Sequence, residues 1–88
     1  MLEKRKFYIN GKWVEPSKIN NLEVVNPSNE EPFATISLGN ENDTNSAVKS
    51  AKEAFKTWSN TSKEERIKLL EKLLEIYSSK WEEMSEAI

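Results

Sequence analysis

The 88-residue sequence contains no cysteine and no histidine, and these two absences remove several kinds of chemistry. Without cysteine the chain forms no disulfide and has no thiol nucleophile, so it lacks the pattern of a small secreted domain held by disulfides. It also has only two glycines and no glycine-rich phosphate-binding loop. No catalytic constellation is visible in the sequence itself.

An excess of charge of one sign is also missing. Thirteen basic and fifteen acidic residues give a net charge of −2, which predicts no attraction to nucleic acid or to an anionic membrane. No segment approaches the roughly 18 consecutive apolar residues that span a bilayer. The basic cluster at residues 1–6 is followed by no apolar run, as a secretory signal requires. We therefore expect a cytoplasmic protein that binds neither nucleic acid nor membrane.

The chain has apolar and aromatic residues enough to fold. Apolar residues make up 36% of it, and three Trp, three Phe and two Tyr argue against a disordered chain. A chain of this length forms one small domain, and its core is marginal unless another surface covers it.

The first half of the sequence predicts two β-hairpins. Residues 7–14 contain two short β-prone runs on either side of Asn10-Gly11, the dipeptide that suits both central positions of a type I′ turn. Residues 22–38 contain two further runs, separated by a turn that begins at Pro27, which cannot donate a main-chain hydrogen bond.

After Gly39 the apolar spacing changes to that of a helix, which predicts two helices at about 43–58 and 63–88. Asn42 or Asp43 is expected to cap the first helix, and Ser62 with Glu65 matches a capping box for the second. Because the connection between them is short, we expect an antiparallel pair and an α+β fold. The first helix carries one apolar stripe, formed by Ala47, Val48, Ala51, Ala54, Phe55 and Trp58.

The second helix carries a continuous heptad seam with a second apolar row beside it. Two interpretations follow: burial against a neighbouring helix and a sheet, which we favour, or a free-standing coiled coil. The chain stops at Ile88 in mid-pattern without a residue that ends helices, which is typical of the first part of something longer. The seam consists of Ile67, Leu70, Leu74, Tyr77, Trp81, Met84 and Ile88, and the second row of Leu69, Leu73 and Ile76.

In order and spacing, five segments resemble the amino-terminal segment of the NAD(P)-dependent aldehyde dehydrogenase superfamily. Any one of them is weak evidence, but together they extend over nearly the whole chain, from about Lys6 to Ile88. They are Tyr8-Ile-Asn-Gly-Lys-Trp-Val14, Val25-Asn26-Pro27-Ser28, Ala34-Thr35-Ile36, Ala47 to Phe55 with Trp58, and Glu65 to Leu70.

The resemblance implies that residues 1–88 are an incomplete amino-terminal part of an α/β cofactor-binding domain, lying over a larger parallel sheet. Full-length relatives oxidise an aldehyde to a carboxylic acid through a cysteine thiohemiacetal, with NAD or NADP. Their catalytic and cofactor-binding residues come later in the chain, so residues 1–88 hold none of them. We expect a scaffold portion that is not catalytic alone and binds no cofactor alone.

Two further expectations depend on the resemblance. Several relatives hold a monovalent cation with the main-chain oxygens that correspond to Val24 and Val25. Without the missing sheet, the apolar helix faces predict a homo-oligomer formed through the helices. The alternative function is a stand-alone helical interaction module that self-associates.

One departure from the family pattern concerns Glu30, where relatives usually have glycine, and we expect Asn29 to adopt the left-handed conformation instead.

Other candidate residues have simpler interpretations. The adjacent carboxylates Glu64-Glu65 and Glu82-Glu83 point in different directions from a helix and indicate a solvated face rather than an acid–base pair. Lysines near the helix connection alternate with glutamates, as exposed faces do. The tryptophans have no basic patch beside them in the sequence, which favours packing in a core or interface over stacking on a nucleic-acid base. These lysines are Lys52, Lys56 and Lys63, and the tryptophans are Trp13, Trp58 and Trp81.

Overall fold

The computed structural model describes all 88 residues, Met1–Ile88, and contains five strands and three helices. It divides into two compact units, Met1–Phe55 and Lys56–Ile88. None of the helices is long and apolar enough to cross a membrane. The strands are β1 (Leu2–Lys4), β2 (Phe7–Ile9), β3 (Lys12–Val14), β4 (Asn21–Val25) and β5 (Pro32–Ser37), and the helices are α1 (Glu41–Trp58), α2 (Lys63–Ser79) and α3 (Trp81–Ala87).

The predicted first hairpin is present as the antiparallel pair β2–β3. Asn10 and Gly11 have φ angles of 53° and 73°, the left-handed values that a type I′ turn needs at both central positions. Directly opposite each other on the two strands, Tyr8 and Trp13 bring their ring centroids to 5.1 Å. Such aromatic cross-strand pairs stabilise a short hairpin and fix its register.

The second predicted hairpin is also present, as β4–β5, but it belongs to a larger sheet with the strand order β1-β5-β4. Strand β1 pairs in parallel with β5 and was not predicted from the sequence. The reason is that residues 2–4 have no alternating apolar pattern. The hydroxyl of Ser37 on β5 donates a 2.6 Å hydrogen bond to the carbonyl of Arg5, just after β1.

The turn between β4 and β5 corrects one expectation. Glu30, not Asn29, has the left-handed conformation, with φ of 61°. The Asn29 side chain accepts a 3.1 Å hydrogen bond from the amide of Glu31, and the Asn26 carbonyl accepts one of 2.8 Å from the amide of Glu30. These bonds fix the residues around Glu30, so the unfavourable φ falls on a residue with a Cβ.

Helix α1 begins earlier than predicted, and neither Asn42 nor Asp43 is its N-cap. Asn40 is the cap, because its side-chain oxygen accepts a 3.1 Å hydrogen bond from the amide of Asp43. In return the Asp43 carboxylate accepts a 3.0 Å bond from the amide of Asn40. This reciprocal arrangement is a capping box built from Asn and Asp instead of Ser and Glu.

The second capping box was predicted correctly. The Ser62 hydroxyl accepts a 3.1 Å hydrogen bond from the amide of Glu65, and the Glu65 carboxylate accepts one of 3.0 Å from the amide of Ser62. The single helix predicted for 63–88, however, is broken at Lys80, whose φ and ψ are −110° and 20°. In the turn before the break, the hydroxyls of Ser78 and Ser79 donate to main-chain carbonyls of α2, which weakens the helical ladder.

The core is very small. Ala34 is the only buried apolar residue, with 7% of its surface exposed, and the only other buried residues are Thr35 and Ser37. All three lie on β5, the central strand of the three-stranded sheet. No residue of α1, α2 or α3 is buried.

The strands and helices together form an α+β fold, as predicted. The antiparallel packing of the helices stays a prediction.

Candidate functional site

The most connected polar cluster in the chain joins Ser17, Asn40 and Asp43. The amide of Ser17 donates to the Asp43 carboxylate at 2.9 Å, and the Ser17 hydroxyl donates to the Asn40 side-chain oxygen at 2.8 Å. These bonds attach the segment after β3 to the first turn of α1, although Ser17 and Asp43 are 26 residues apart.

The electrostatics of this cluster indicate a structural role. Hydrogen bonds from the main-chain amides of Asn40 and Ser17 lower the pKa of Asp43 from its ordinary value of 3.8, against a smaller opposing effect of desolvation. A carboxylate that acts as a proton donor near neutral pH needs a raised pKa instead. The cluster therefore holds a helix end in place. Its signal in the sequence was Asn40 followed three residues later by an acidic side chain.

Val24 and Val25, the sequence-derived candidates for a main-chain cation site, lie at the end of β4. Val24 is opposite Ala34 and Val25 is opposite Pro32, with an irregularity in the strand register between them. Pro32 has no amide hydrogen to donate to β4. No group of three or more acidic, histidine or cysteine side chains is arranged to hold a metal ion. Cation binding by the two valine carbonyls stays a prediction.

The adjacent carboxylates lie on helix ends and do not face a shared site. Glu64 and Glu65 are in the first turn of α2, where Glu65 belongs to the capping box. Glu82 and Glu83 are in the first turn of α3, and Glu83 lies 3.6 Å from the ammonium of Lys80. Acidic side chains in a first turn favour helix formation because they interact with the positive end of the helix dipole. Lys52, Lys56 and Lys63 are exposed on helices.

All three tryptophans are exposed, so none of them packs in a core. Trp13 is 68% exposed and borders a groove of about 410 Å³, and Trp81 meets Tyr77 edge-on with ring centroids 6.3 Å apart. The groove also brings basic side chains beside Trp13, which the sequence did not indicate. Two of these are matched by carboxylates, Arg5 by Glu3 at 2.5 Å and Lys6 by Glu15 at 3.4 Å. The other groove residue is Lys4.

The residues present do not fit a dinucleotide cofactor. Gly11 lies in the hairpin turn, and a Cβ added at Gly39 would meet Phe7 and Asp43 at ordinary distances of 3.5 and 3.6 Å. Neither glycine belongs to a glycine-rich loop of the kind that binds phosphate. The N-terminus of α1, where a pyrophosphate could bind, carries the Asp43 carboxylate, which repels an anion.

The chain leaves a large apolar surface uncovered. It exposes 7997 Å² of surface, whereas a folded monomer of the same mass exposes about 5,300 Å². One part of this surface is a leucine face on α2, in which Leu70 and Leu74 are each 64% exposed. The leucine face consists of Leu69, Leu70, Leu73 and Leu74. Surfaces of this kind normally mark a contact with another part of a protein.

Comparison with known proteins relates these features to one family. The family model described as "Aldehyde dehydrogenase family" matches residues 13–88. A 3-succinoylsemialdehyde-pyridine dehydrogenase of a Pseudomonas species is 43% identical over the whole chain. The crystal structure of an aldehyde dehydrogenase from Bartonella henselae superimposes on 98% of the chain with a TM-score of 0.94 and 50% identity. The chain spans 18% of the length of each of these two proteins.

Proposed function

The chain belongs to the aldehyde dehydrogenase family, and we propose that it is an amino-terminal scaffold portion of an NAD(P)-dependent enzyme that oxidises an aldehyde to a carboxylic acid. The observation that carries the proposal is the uncovered apolar surface of the helices, none of whose residues is buried. The relatives are more than five times longer than the chain, so their additional residues are a natural cover for this surface. In this proposal the chain is a structural part of the enzyme and supplies no catalytic residue.

The proposal is tested by exchanging this segment into a relative. A chimaera is made in which the 88 residues replace the matching segment of the Pseudomonas dehydrogenase, which is 43% identical over this length. We expect the chimaera to fold and to retain activity. In the chimaera Leu70→Gln combined with Leu74→Gln is expected to lower stability by about 2–5 kcal/mol, because two side chains that become buried lose apolar contacts.

A matched control separates docking from helix propensity. Lys68→Gln combined with Glu71→Gln places the same residue type on the same helix, beside the leucine face, and is expected to change stability by less than about 0.5 kcal/mol. Thermal unfolding and activity are measured for both variants. Equal behaviour of the two pairs would show that the leucine face contacts nothing in the longer enzyme and would contradict the scaffold role.

The chain alone is proposed to be inactive. It has no cysteine to attack an aldehyde and no glycine-rich loop, and the Asp43 carboxylate lies at the N-terminus of α1. We expect no aldehyde-dependent reduction of NAD or NADP by the pure chain, measured by absorbance of the reduced nicotinamide. Turnover that depends on both aldehyde and cofactor would contradict this.

In isolation, the chain is proposed to form a homodimer or a larger homo-oligomer through its helices. Each Leu, Ile or Phe left in water forfeits about 1.5–3 kcal/mol of burial free energy, and a second copy offers the same apolar face. Sedimentation at micromolar concentration is expected to give a mass above that of one chain. A compact folded monomer would contradict the proposal. The stand-alone interaction module is not favoured as a natural function, because nearly the whole chain matches an enzyme family.

Three smaller proposals complete the assignment. The main-chain oxygens of Val24 and Val25 bind a monovalent cation in the complete enzyme, supported by their place at an irregular strand end opposite a proline. The complete enzyme is cytoplasmic, in keeping with a chain that has no cysteine. It binds neither nucleic acid nor membrane, supported by the net charge of −2.

A further inference from the structure

No further inference is drawn: the strongest candidate, the exposed Tyr8–Trp13 pair on the β2–β3 hairpin beside the groove lined by Lys4, Arg5 and Lys6, is an unpartnered surface patch, and nothing in the structure shows what covers it.

Discussion

Each of the two units of the chain is stabilised internally by a different kind of contact. In Met1–Phe55, strand pairs and hydrogen bonds join residues far apart in sequence, such as Ser17 to Asp43 and Ser37 to Arg5. In Lys56–Ile88, hydrogen bonds such as Glu65 to Ser62, Ser78 to Leu74 and Ser85 to Trp81 link residues three or four positions apart. The first unit therefore has a tertiary structure of its own, and the second consists of local structure whose apolar face requires a cover.

The largest effect is expected at Ala34, the buried apolar residue at the centre of the first unit. Ala34→Asp places an unpaired carboxylate in the sheet and is expected to cost about 3–5 kcal/mol. Amide hydrogen exchange should show loss of protection in β4 and β5 and unchanged protection in α2. Ser46→Asp, at an exposed position of α1 outside its apolar stripe, is the control, with an expected cost below about 0.5 kcal/mol. Equal loss of protection in α2 would show that the two units unfold together.

The second largest effect is expected at the start of the second unit. Ser62→Ala removes the hydroxyl that accepts from the amide of Glu65 and is expected to cost about 1 kcal/mol of helix stability. Circular dichroism and amide exchange in α2 measure the loss, while protection of the sheet is expected to stay unchanged. Ser59→Ala, just before this helix and outside the capping box, is the control. A loss of sheet protection in the Ser62 variant would contradict the independence of the two units.

A smaller effect of opposite sign is expected in the turn of the first unit. Glu30 adopts φ of 61°, which costs a residue with a Cβ about 1–2 kcal/mol. Glu30→Gly relieves this strain in the folded state. The greater conformational freedom of glycine in the unfolded chain destabilises the variant by about 0.5–1 kcal/mol and offsets part of this gain. A net gain of about 0.5 kcal/mol is therefore expected, measured as a higher urea midpoint. Glu31→Gly, next to it, should destabilise, and destabilisation by both substitutions would show that Glu30 is not strained.

Prediction from the sequence succeeded where a short motif determines local geometry. Asn10-Gly11 specifies its turn through the φ angles it tolerates, and Ser62 with Glu65 specifies a helix start through reciprocal hydrogen bonds. It failed where contacts between residues farther apart in the sequence determine the structure. Strand β1 forms because it pairs with β5, and the left-handed conformation of Glu30 follows from the hydrogen bonds around the turn. The break at Lys80 falls within a heptad pattern that continues on both sides of it, so the apolar spacing does not mark it.

The candidate site shows the same division. The absence of a cysteine nucleophile from these residues was evident from composition. The cluster of Ser17, Asn40 and Asp43 was missed, since Ser17 and Asp43 are 26 residues apart and no periodic pattern relates them. The extent of the exposed apolar surface also could not be predicted from the sequence, because a heptad seam has the same spacing whether it is buried or exposed.

The smallest effect is expected from the ionisation of Asp43. Amides of Asn40 and Ser17 stabilise its charged form, which lowers its folded-state pKa below the ordinary 3.8. A lowered pKa means that the unfolded chain binds the proton more tightly, so this contribution to stability is fully present above the unfolded value. It is lost as the pH falls through the folded value. Because the carboxylate is near the surface, solvent screens it and the effect is modest.

Asp43→Asn removes this titration while keeping a side-chain oxygen that can accept from an amide. We expect the variant to be less stable than the natural chain above pH 4 or so and the difference to shrink below it. Urea midpoints are measured between about pH 6 and pH 2, in the range where carboxylates titrate. The control, Glu41→Gln, lies in the same helical turn and takes no part in the Asn40–Asp43 capping box. An undiminished difference at the lowest pH would mean that Asp43 acts through its shape. The segment after β3 would then be attached to α1 without help from charge.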